Sequence, residues 1–307
     1  MRRTEIALVP SFQRPASRVA IRRAASYEQD LAAVIYETLR EFELPVKDKT
    51  VLLKPNLVGL DPLGVMNTHP CVIAAARESF LRMGAAQVLI GDGPAMDRDI
   101  EAIIESVRLR EFAGPLARTF VDLNVDDVKR VALTTRASRL KELFLPKTVL
   151  GADFLVSMPK LKTHHWAGVT LSLKNMFGIV PGMKYGWPKN LLHWHRIHES
   201  ILDICATVPI HFVIADGITA MEGNGPLQGT ARGLGKIVLA DDPVAADATC
   251  ARLMGLDPLR VQHLSDGGRF LGNLNSNRIM MLGERVEPPA RPFSVLPDFE
   301  YLIAPTR

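Results

Sequence analysis

Residues 154–164 read Phe154-Leu155-Val156-Ser157-Met158-Pro159-Lys160-Leu161-Lys162-Thr163-His164. The first five form a short, mostly apolar run, which is typical of a buried strand. Polar residues follow directly after Pro159, where the run has ended. In open α/β sheets the ligand crevice lies outside the carboxyl ends of the strands, so this pattern indicates both a fold class and a site.

Three other expected strands end in the same way. They are Val51–Leu53, Val88–Ile90 and Phe212–Ala215, and the residues after them are Lys54-Pro55-Asn56, Gly91-Asp92-Gly93 and Asp216-Gly217. Because the carboxyl ends of parallel strands share one edge of a sheet, we expect these clusters to converge on one cleft. For Asp92 and Asp216 the alternative is that each only makes a turn or caps the next helix.

Amphipathic stretches alternate with the expected strands. Helices are predicted over Leu31–Phe42, Pro70–Met83, Asp97–Phe112, Asn190–Thr207 and Pro243–Met254. Asp242 followed by Pro243 is typical of an N-cap and a first helical residue. The alternation predicts an α/β fold with a mostly parallel or mixed sheet, flanking helices and a ligand cleft at the strand carboxyl ends.

Glycine and proline mark the expected loops and the end of the domain. The segments Gly182–Pro188, Gly223–Gly235 and Gly267–Asn277 are expected to be loops. We expect residues 1–285 to form a single α/β domain, or two subdomains that meet near residue 150. Residues 286–307 are rich in proline and are expected to run along the surface as a tail.

The composition is that of a globular protein, since 47% of the 307 residues are hydrophobic. The net charge of +4 is too small for a nucleic-acid footprint. No stretch reaches the roughly 18 apolar residues of a membrane span. We therefore expect a cytoplasmic protein that binds neither nucleic acid nor membrane, and a homo-oligomer remains open.

Common cofactor motifs are missing from the sequence. Cys71, Cys205 and Cys250 are isolated, so the chain cannot by itself supply the four thiolates of an iron–sulfur cluster. Neither a G-x-G-x-x-G fingerprint nor a G-x-x-x-x-G-K-[ST] loop occurs. We expect no cofactor of these types.

The segment Phe154–His198 is strongly basic: it holds five His and five Lys, and no Asp or Glu. Its donors are interleaved with apolar residues, which indicates a lined pocket for a carboxylate or phosphate. The expected substrate-binding residues here and at the other strand ends are Lys54, Asn56, Asp92, Lys160, Lys162, Thr163, Asn175, His195 and His198. The expected catalytic residues are His164, Lys174, Asp216 and Glu222.

Lys174 has two interpretations. It falls in the last turn of a short helix that Gly178 is expected to end, where a cation complements the helix dipole. It is also in phase with Thr170 and Phe177 on a face that looks buried, and we favour a ligand contact. Neighbouring lysines lower one another's pKa, so one of them is a candidate base or Schiff-base nucleophile.

Two further features are candidates for chemistry. His195 and His198 are spaced to lie on one side of the helix predicted from Asn190, where they either hold a metal or grip an anion. Glu222 lies in a Gly-rich segment shortly after Asp216 and is the best candidate for a carboxylate general base.

Several of these motifs, taken in order, resemble the DUF362 family, whose function is unknown. They are Lys54-Pro55-Asn56, Pro159-Lys160-Leu161-Lys162-Thr163-His164, Leu173-Lys174-Asn175-Met176-Phe177-Gly178, Asp216-Gly217, Glu222-Gly223-x-Gly225-Pro226 and Pro243-Val244-Ala245-Ala246-Asp247. The resemblance runs from about Val51 to about Pro258. It implies, for many members, a ferredoxin-like module with Cys-ligated clusters, and this chain lacks that Cys series.

Three functions follow from these residues. The leading hypothesis is an enzyme that acts on a small anionic substrate by Lys, His and carboxylate acid–base chemistry. The second is a noncatalytic ligand-binding or redox accessory protein that docks a separate iron–sulfur partner. The third is a metalloenzyme that uses His195, His198 and one carboxylate.

Overall fold

A computed structural model describes residues 15–61, 63–96, 99–115 and 119–305 and shows a ten-stranded mixed sheet with helices on both faces. The strands are β1 Ser17–Arg23, β2 Thr50–Pro55, β3 Gln87–Asp92, β4 Phe120–Asp122, β5 Val128–Ala132, β6 Glu142–Pro146, β7 Phe154–Met158, β8 Lys160–His164, β9 Gly168–Thr170, β10 Phe212–Asn224, β11 Gln228–Ala240 and β12 Ile279–Gly283. The α-helices are α1 Leu31–Glu41, α2 Pro70–Arg82, α3 Ile100–Ser106, α4 Leu109–Ala113, α5 Lys147–Gly151, α6 Ser172–Asn175, α7 Gly182–Tyr185, α8 Asn190–Trp194, α9 Ile197–Thr207, α10 Pro243–Leu253 and α11 Gln262–Gly267.

The main sheet is parallel at its centre and antiparallel at one side. Its order is β12-β1-β11-β10-β7-β2-β3-β4, with β8 attached to β10 and β9 attached to β8, and the remaining strands β5 and β6 form a separate antiparallel pair. Strands β10, β7, β2, β3 and β4 run parallel, whereas β11 is antiparallel to both β10 and β1. The predicted α/β fold with a mostly parallel or mixed sheet is confirmed. The parallel strands end at one edge, and the site lies there.

The central strands are buried on both faces, which explains their continuous apolar runs. In β2, Leu53 packs in the layer that contains α1 and α2, and Leu52 packs in the opposite layer with α9 and α10. Side chains alternate along a strand, so Lys54 points to the same side as Leu52. Asp242 caps α10 as expected, because its Oδ1 accepts from Val244 N at 2.8 Å.

Two predicted helices are each interrupted. The helix expected over Asp97–Phe112 is divided into α3 and α4 at Arg108, whose φ is +57°, and Asp97 lies outside the described residues. The helix expected over Asn190–Thr207 is divided into α8 and α9 at Arg196, whose φ is +73°. A residue with positive φ ends the helical hydrogen-bond ladder, and an arginine gives no sequence signal for this conformation.

The segment Gly223–Gly235 is mostly strand, not loop. Strands β10 and β11 form a long antiparallel hairpin that pairs Gly223 with Gly229. A Cβ on Gly229 would overlap the Met221 side chain, so this glycine serves close packing and not a turn. The expected loop Gly182–Pro188 also contains a short helix, α7.

The Pro-rich segment after Val286 packs against the rest of the fold over its described part. Phe293 is 0% exposed and Leu302 is 1% exposed. The backbone N–H of Gly223 donates to Ser294 O at 2.7 Å. Most of its other described residues are at least partly exposed, so the segment lies along the surface and is anchored there by these contacts. None of the helices in the described ranges is long and apolar enough to cross a bilayer.

Candidate active site

A cavity of about 250 Å³ lies at the carboxyl ends of β2 and β3, covered by the segments around α6, α8 and β8–β9. Its polar and aromatic lining consists of Lys54, Asn56, Asp92, Lys162, His164, His165, Trp166, Thr170, Lys174, Asn175, Phe177, Lys189 and His193. Apolar residues such as Val58, Met96 and Leu227 complete the wall. A concave, mostly apolar site with a few converging polar groups is the usual form of a small-ligand site.

Lys54 and Asp92 form a buried ion pair in this wall. The Lys54 Nζ lies 2.6 Å from Asp92 Oδ1, and the two side chains are 1% and 0% exposed. Asp92 Oδ2 also accepts from Leu57 N at 2.6 Å. Burial lowers the pKa of Lys54 and the carboxylate opposes that shift. A Cβ on Gly178 would overlap both charged groups, so glycine permits the backbone to approach the pair.

Asn175 holds this pair in place. Its Oδ1 accepts from Lys54 Nζ at 2.9 Å, and its Nδ2 donates to Lys54 O and to Ser157 Oγ, both at 3.1 Å. The amide is therefore occupied by protein partners. Asn175 positions Lys54 in this arrangement.

Two more cavity lysines are buried without an ionic partner among the described residues. Lys162 is 0% exposed and donates to Met66 O at 2.6 Å. Lys189 is 1% exposed and donates to Gly93 O at 2.6 Å. Burial lowers the pKa of Lys162 well below its usual range and the pKa of Lys189 to about 7. Asp61 near Lys162 and Asp92 near Lys189 oppose these shifts only in part, because neither closes an ion pair, and an anionic ligand in contact with the two ammonium groups would stabilise them.

Lys174 is half-buried at the end of α6, and its Nζ lies 4.0 Å from the centroid of the Phe177 ring. The described residues give it no carboxylate and no hydrogen-bond acceptor. Burial, with a smaller effect of Lys54, lowers its pKa to about 7. Lys174 thus lies in a position where its charge is poorly stabilised until a ligand arrives.

Backbone contacts fix the tautomers of two cavity histidines. His164 Nδ1 accepts from Trp166 N at 3.0 Å and from Ala167 N at 3.1 Å, so the neutral ring carries its proton on Nε2. His193 Nδ1 lies 3.2 Å from Lys189 O and must donate to it, which leaves Nε2 with a lone pair. Burial lowers the pKa of both rings, that of His193 to about 4. His164 therefore offers an imidazole donor and His193 an imidazole acceptor.

Two buried oxygens of the wall have no hydrogen-bond partner among the described residues. They are Asn56 Oδ1 and Thr170 Oγ1. Nearly all buried polar atoms in proteins are satisfied, so unsatisfied ones in a cavity wall point to a bound ligand or water. A ligand that satisfies the Asn56 oxygen has to donate a hydrogen bond there.

Residues 51–252 match the family model described as a domain of unknown function, DUF362. The chain belongs to this family. The match confirms the resemblance drawn from the motifs. The thylakoid-associated protein sll1697 of Synechocystis sp. is 29% identical to this chain over 259 residues, which cover 79% of this chain and 76% of that protein.

Two solved structures are similar in part to this DUF362 chain. The lactate racemase apoprotein from Thermoanaerobacterium thermosaccharolyticum gives a TM-score of 0.41 at 15% identity, over 67% of this chain and 51% of that one. A protein from Thermotoga maritima gives a TM-score of 0.42 at 13% identity, over 69% of this chain and 55% of that one. The chain therefore spans about half the length of these two solved proteins.

Seven of the candidate residues named from the DUF362 sequence line the cavity: Lys54, Asn56, Asp92, Lys162, His164, Lys174 and Asn175. The cavity also includes Lys189, His193, His165 and Trp166, which sequence reasoning missed as ligand contacts. All four lie within the acid-free stretch 154–198, whose composition was the available signal.

Lys160 and Asp216 are not in the cavity wall; they form a separate buried cluster. Lys160 Nζ lies 2.9 Å from Asp216 Oδ2, and both side chains are 0% exposed. Tyr27 Oη donates to Asp216 Oδ1 at 3.0 Å, and its ring stacks on His69. Asp216 is two residues from Ile214 in β10 and so shares its face, in the layer opposite to Leu52, which means that Asp216 points away from Lys54. The expectation that all strand-end charges share one cleft is wrong for this pair.

Thr163 and Glu222 also lie outside the cavity wall. Thr163 Oγ1 donates to Gly223 O at 2.8 Å and so links β8 to β10. Glu222 is in β10 and accepts from Arg232 and Arg291, each at 2.6 Å. Burial raises the pKa of Glu222, but these hydrogen bonds outweigh it and the pKa is lowered. A carboxylate held in this way joins β10, β11 and the C-terminal segment.

We expect Glu222→Gln to lower the free energy of unfolding by about 1.5–3 kcal/mol, the range for a hydrogen bond to a charged group. The same variant should leave ligand binding in the cavity unchanged. Urea denaturation and calorimetric titration measure the two effects. Glu37→Gln, which removes an exposed ion pair with Arg40, serves as the control and should leave stability nearly unchanged. A loss of binding without loss of stability in Glu222→Gln would contradict this assignment.

His195 and His198 do not share a helix face. His195 follows the last residue of α8, whereas His198 is in α9 beyond the break at Arg196. His198 Nδ1 lies 3.1 Å from Nδ1 of the buried His263. In the described ranges no three His, Cys, Asp or Glu side chains form a metal-binding group. The i, i+3 pairing expected of these two histidines is therefore wrong.

Proposed function

We propose that this protein is a cytoplasmic enzyme that binds a small carboxylate- or phosphate-bearing substrate in the cavity and acts on it by Lys and His acid–base chemistry. One observation carries the proposal. Lys162, Lys174 and Lys189 line one small cavity, and none of them forms an ion pair with a described residue. Such lysines need an anion to be stable in the charged form.

The cavity residues divide into binding and proton-transfer roles. Lys54 is paired with Asp92 and is fixed in the cavity wall as the partner of that carboxylate. Lys162 and Lys189 complement the anionic group, and His164 donates its Nε2–H to the substrate. His193 Nε2 accepts a proton, and Lys174, with a pKa of about 7, can give or take one near neutral pH.

Native mass spectrometry of the purified protein, with parallel metal analysis, is the first test. A copurified small anion is the expected result. Calorimetric titration with inorganic phosphate, lactate and pyruvate then measures which anionic group the cavity accepts. If none of them binds at millimolar concentration and nothing copurifies, the proposal is contradicted. Turnover of a bound anion separates an enzyme from a noncatalytic binding protein.

The affinity for an anion should fall as the pH rises above 7. In the free protein the pKa of Lys174 and of Lys189 is lowered to about 7, so both amines are largely neutral at pH 8. An anion favours their protonated forms and raises both values, so binding at pH 8 takes up protons. For each proton that is taken up on binding, the affinity for the anion then drops up to about tenfold per pH unit.

Titration calorimetry at pH 8 in two buffers of different ionisation enthalpy measures this proton uptake. We expect the observed enthalpy to change with the buffer, and the change to be smaller at pH 6. The same enthalpy in both buffers at pH 8 would show that neither lysine is coupled to the ligand.

A further inference from the structure

Lys174 differs from the other cavity lysines in what its amine contacts. Lys54 has a carboxylate at 2.6 Å and two oxygen acceptors. Lys162 and Lys189 each donate to a backbone carbonyl at 2.6 Å. Within the described part of the chain, Lys174 Nζ has only the face of the Phe177 ring, 4.0 Å from its centroid. Its lone pair, when the amine is neutral, is therefore available to a ligand.

We propose that Lys174 is a nucleophile that forms an imine with the carbonyl group of a small 2-oxo acid, whose carboxylate is held by the neighbouring lysines. This inference rests on the proposed function, since it needs an anion in the same cavity. It adds the chemical class of the substrate and a covalent step. An amine can attack only when it is neutral. The carboxylate of the bound acid favours the protonated amine, so the attack proceeds from the neutral fraction of Lys174, which a partly desolvated pocket without an acidic partner keeps available.

Three properties of the site support this step. The pKa of Lys174 is lowered to about 7 by burial, so a large fraction of the amine is neutral at physiological pH. Val58, Met96 and Phe177 give the cavity apolar walls, which limit the access of water to an imine. Lys162 and Lys189 supply cations that are not consumed by the reaction.

The step is balanced without an oxidant or a reductant. The Lys174 nitrogen attacks the carbonyl carbon and forms the C–N bond. Both amine protons leave with the carbonyl oxygen as water, and the products are the imine and one water molecule. His193 lines the same cavity as Lys174 and has a lone pair on Nε2, so we assign to it the transfer of a proton between the two groups. The protonated imine then acts as an electron sink for bond cleavage at the adjacent carbon.

Reductive trapping tests the proposal. The full chain is incubated with pyruvate, and separately with glyoxylate, in the presence of cyanoborohydride, which reduces an imine to a stable amine. Intact-protein mass spectrometry should show one adduct with the mass of the probe less one oxygen atom. Peptide mapping of the unaltered protein should place it on Lys174, so this result does not depend on any variant.

Lys184 is the matched control, because its Nζ lies 3.9 Å from the centroid of the Phe144 ring but outside the cavity wall. The amount of adduct should be at least tenfold lower in Lys174→Arg, whereas Lys184→Arg should be labelled to the same extent as the unaltered protein. Thermal melts of both variants check folding. Labelling spread evenly over exposed lysines would overturn the proposal.

Calorimetric titration with pyruvate and lactate separates this proposal from the one on which it rests. Binding of pyruvate without any adduct on Lys174 overturns the imine and leaves the anion site standing. Absence of binding by pyruvate, lactate and phosphate, together with absence of an adduct, overturns both. A reduced adduct on Lys174 that lactate suppresses by competition supports both.

Discussion

Lys174→Met should weaken anion binding by about 2–5 kcal/mol, the range for removing one member of a buried charge pair. It should also stabilise the ligand-free protein. Methionine keeps the apolar stem against Phe177 but removes an amine that burial deprives of water. Calorimetric titration with phosphate or pyruvate measures the first effect, and a thermal melt without ligand measures the second.

The stability that the ligand-free protein gains from Lys174→Met should decrease as the pH rises. The folded pKa of Lys174 is about 7, whereas an unfolded lysine titrates near 10.4. Between these values the unfolded chain binds more protons, so the unaltered protein becomes more stable as the pH rises. The advantage of Lys174→Met should therefore be largest at pH 7 and below, and should shrink toward pH 10.

Lys184→Met is the control for this variant, because Lys184 makes the same kind of ring contact, with Phe144, outside the cavity wall. It should change neither binding nor the pH dependence of stability. A Lys174→Met protein that binds phosphate and pyruvate normally and melts at a slightly lower temperature would show that Lys174 only complements the end of α6.

The sequence was sufficient for the parallel centre of the sheet and for part of the site. Short apolar runs that end in polar residues located β2, β3, β7 and the start of β10, and their shared edge brings Lys54 and Asp92 together. These residues could be found because the carboxyl ends of parallel strands meet at one edge. The sequence could not show which layer each of them faces.

The face that a residue occupies depends on register, and register changes near the site. Strand β8 pairs with β10 through Asp216–Lys160 and then through Met221–Lys162, so five residues of one strand span two of the other. Lys160 and Lys162 are two residues apart on this strand, yet Lys162 lines the cavity, whereas Lys160 pairs with Asp216. A sequence pattern with a period of two cannot reveal such a shift.

Lys189 was missed for a related reason. It precedes α8 with a φ of +66°, a left-handed conformation that glycine or asparagine usually signals. Its backbone position turns the side chain toward Gly93 O, across the cavity from the segment that carries it. Arg108 and Arg196, which also have positive φ, mark places where helical periodicity on both sides hid a break.

Asp216→Asn should lower the free energy of unfolding by about 3–5 kcal/mol, because it leaves the Lys160 ammonium buried without a counterion. The carboxylate also accepts from the Tyr27 hydroxyl at 3.0 Å and from His69 N at 3.0 Å. Burial and this carboxylate raise the pKa of Tyr27, so its hydroxyl stays protonated and donates. The side-chain amide of asparagine has one acceptor oxygen instead of two, so at position 216 it can accept hydrogen bonds from only some of these donors.

The double variant Lys160→Met with Asp216→Leu removes both charges and should recover a large part of the lost stability, since no unpaired charge remains. Anion binding should stay within about twofold of the unaltered protein in both variants, because the cluster lies outside the cavity wall. Urea denaturation and calorimetric titration with phosphate provide the two measurements. A folded Asp216→Asn protein with normal stability and lost binding or turnover would return Asp216 to the catalytic role that the sequence predicted, and would place the chemistry on the opposite layer of the sheet.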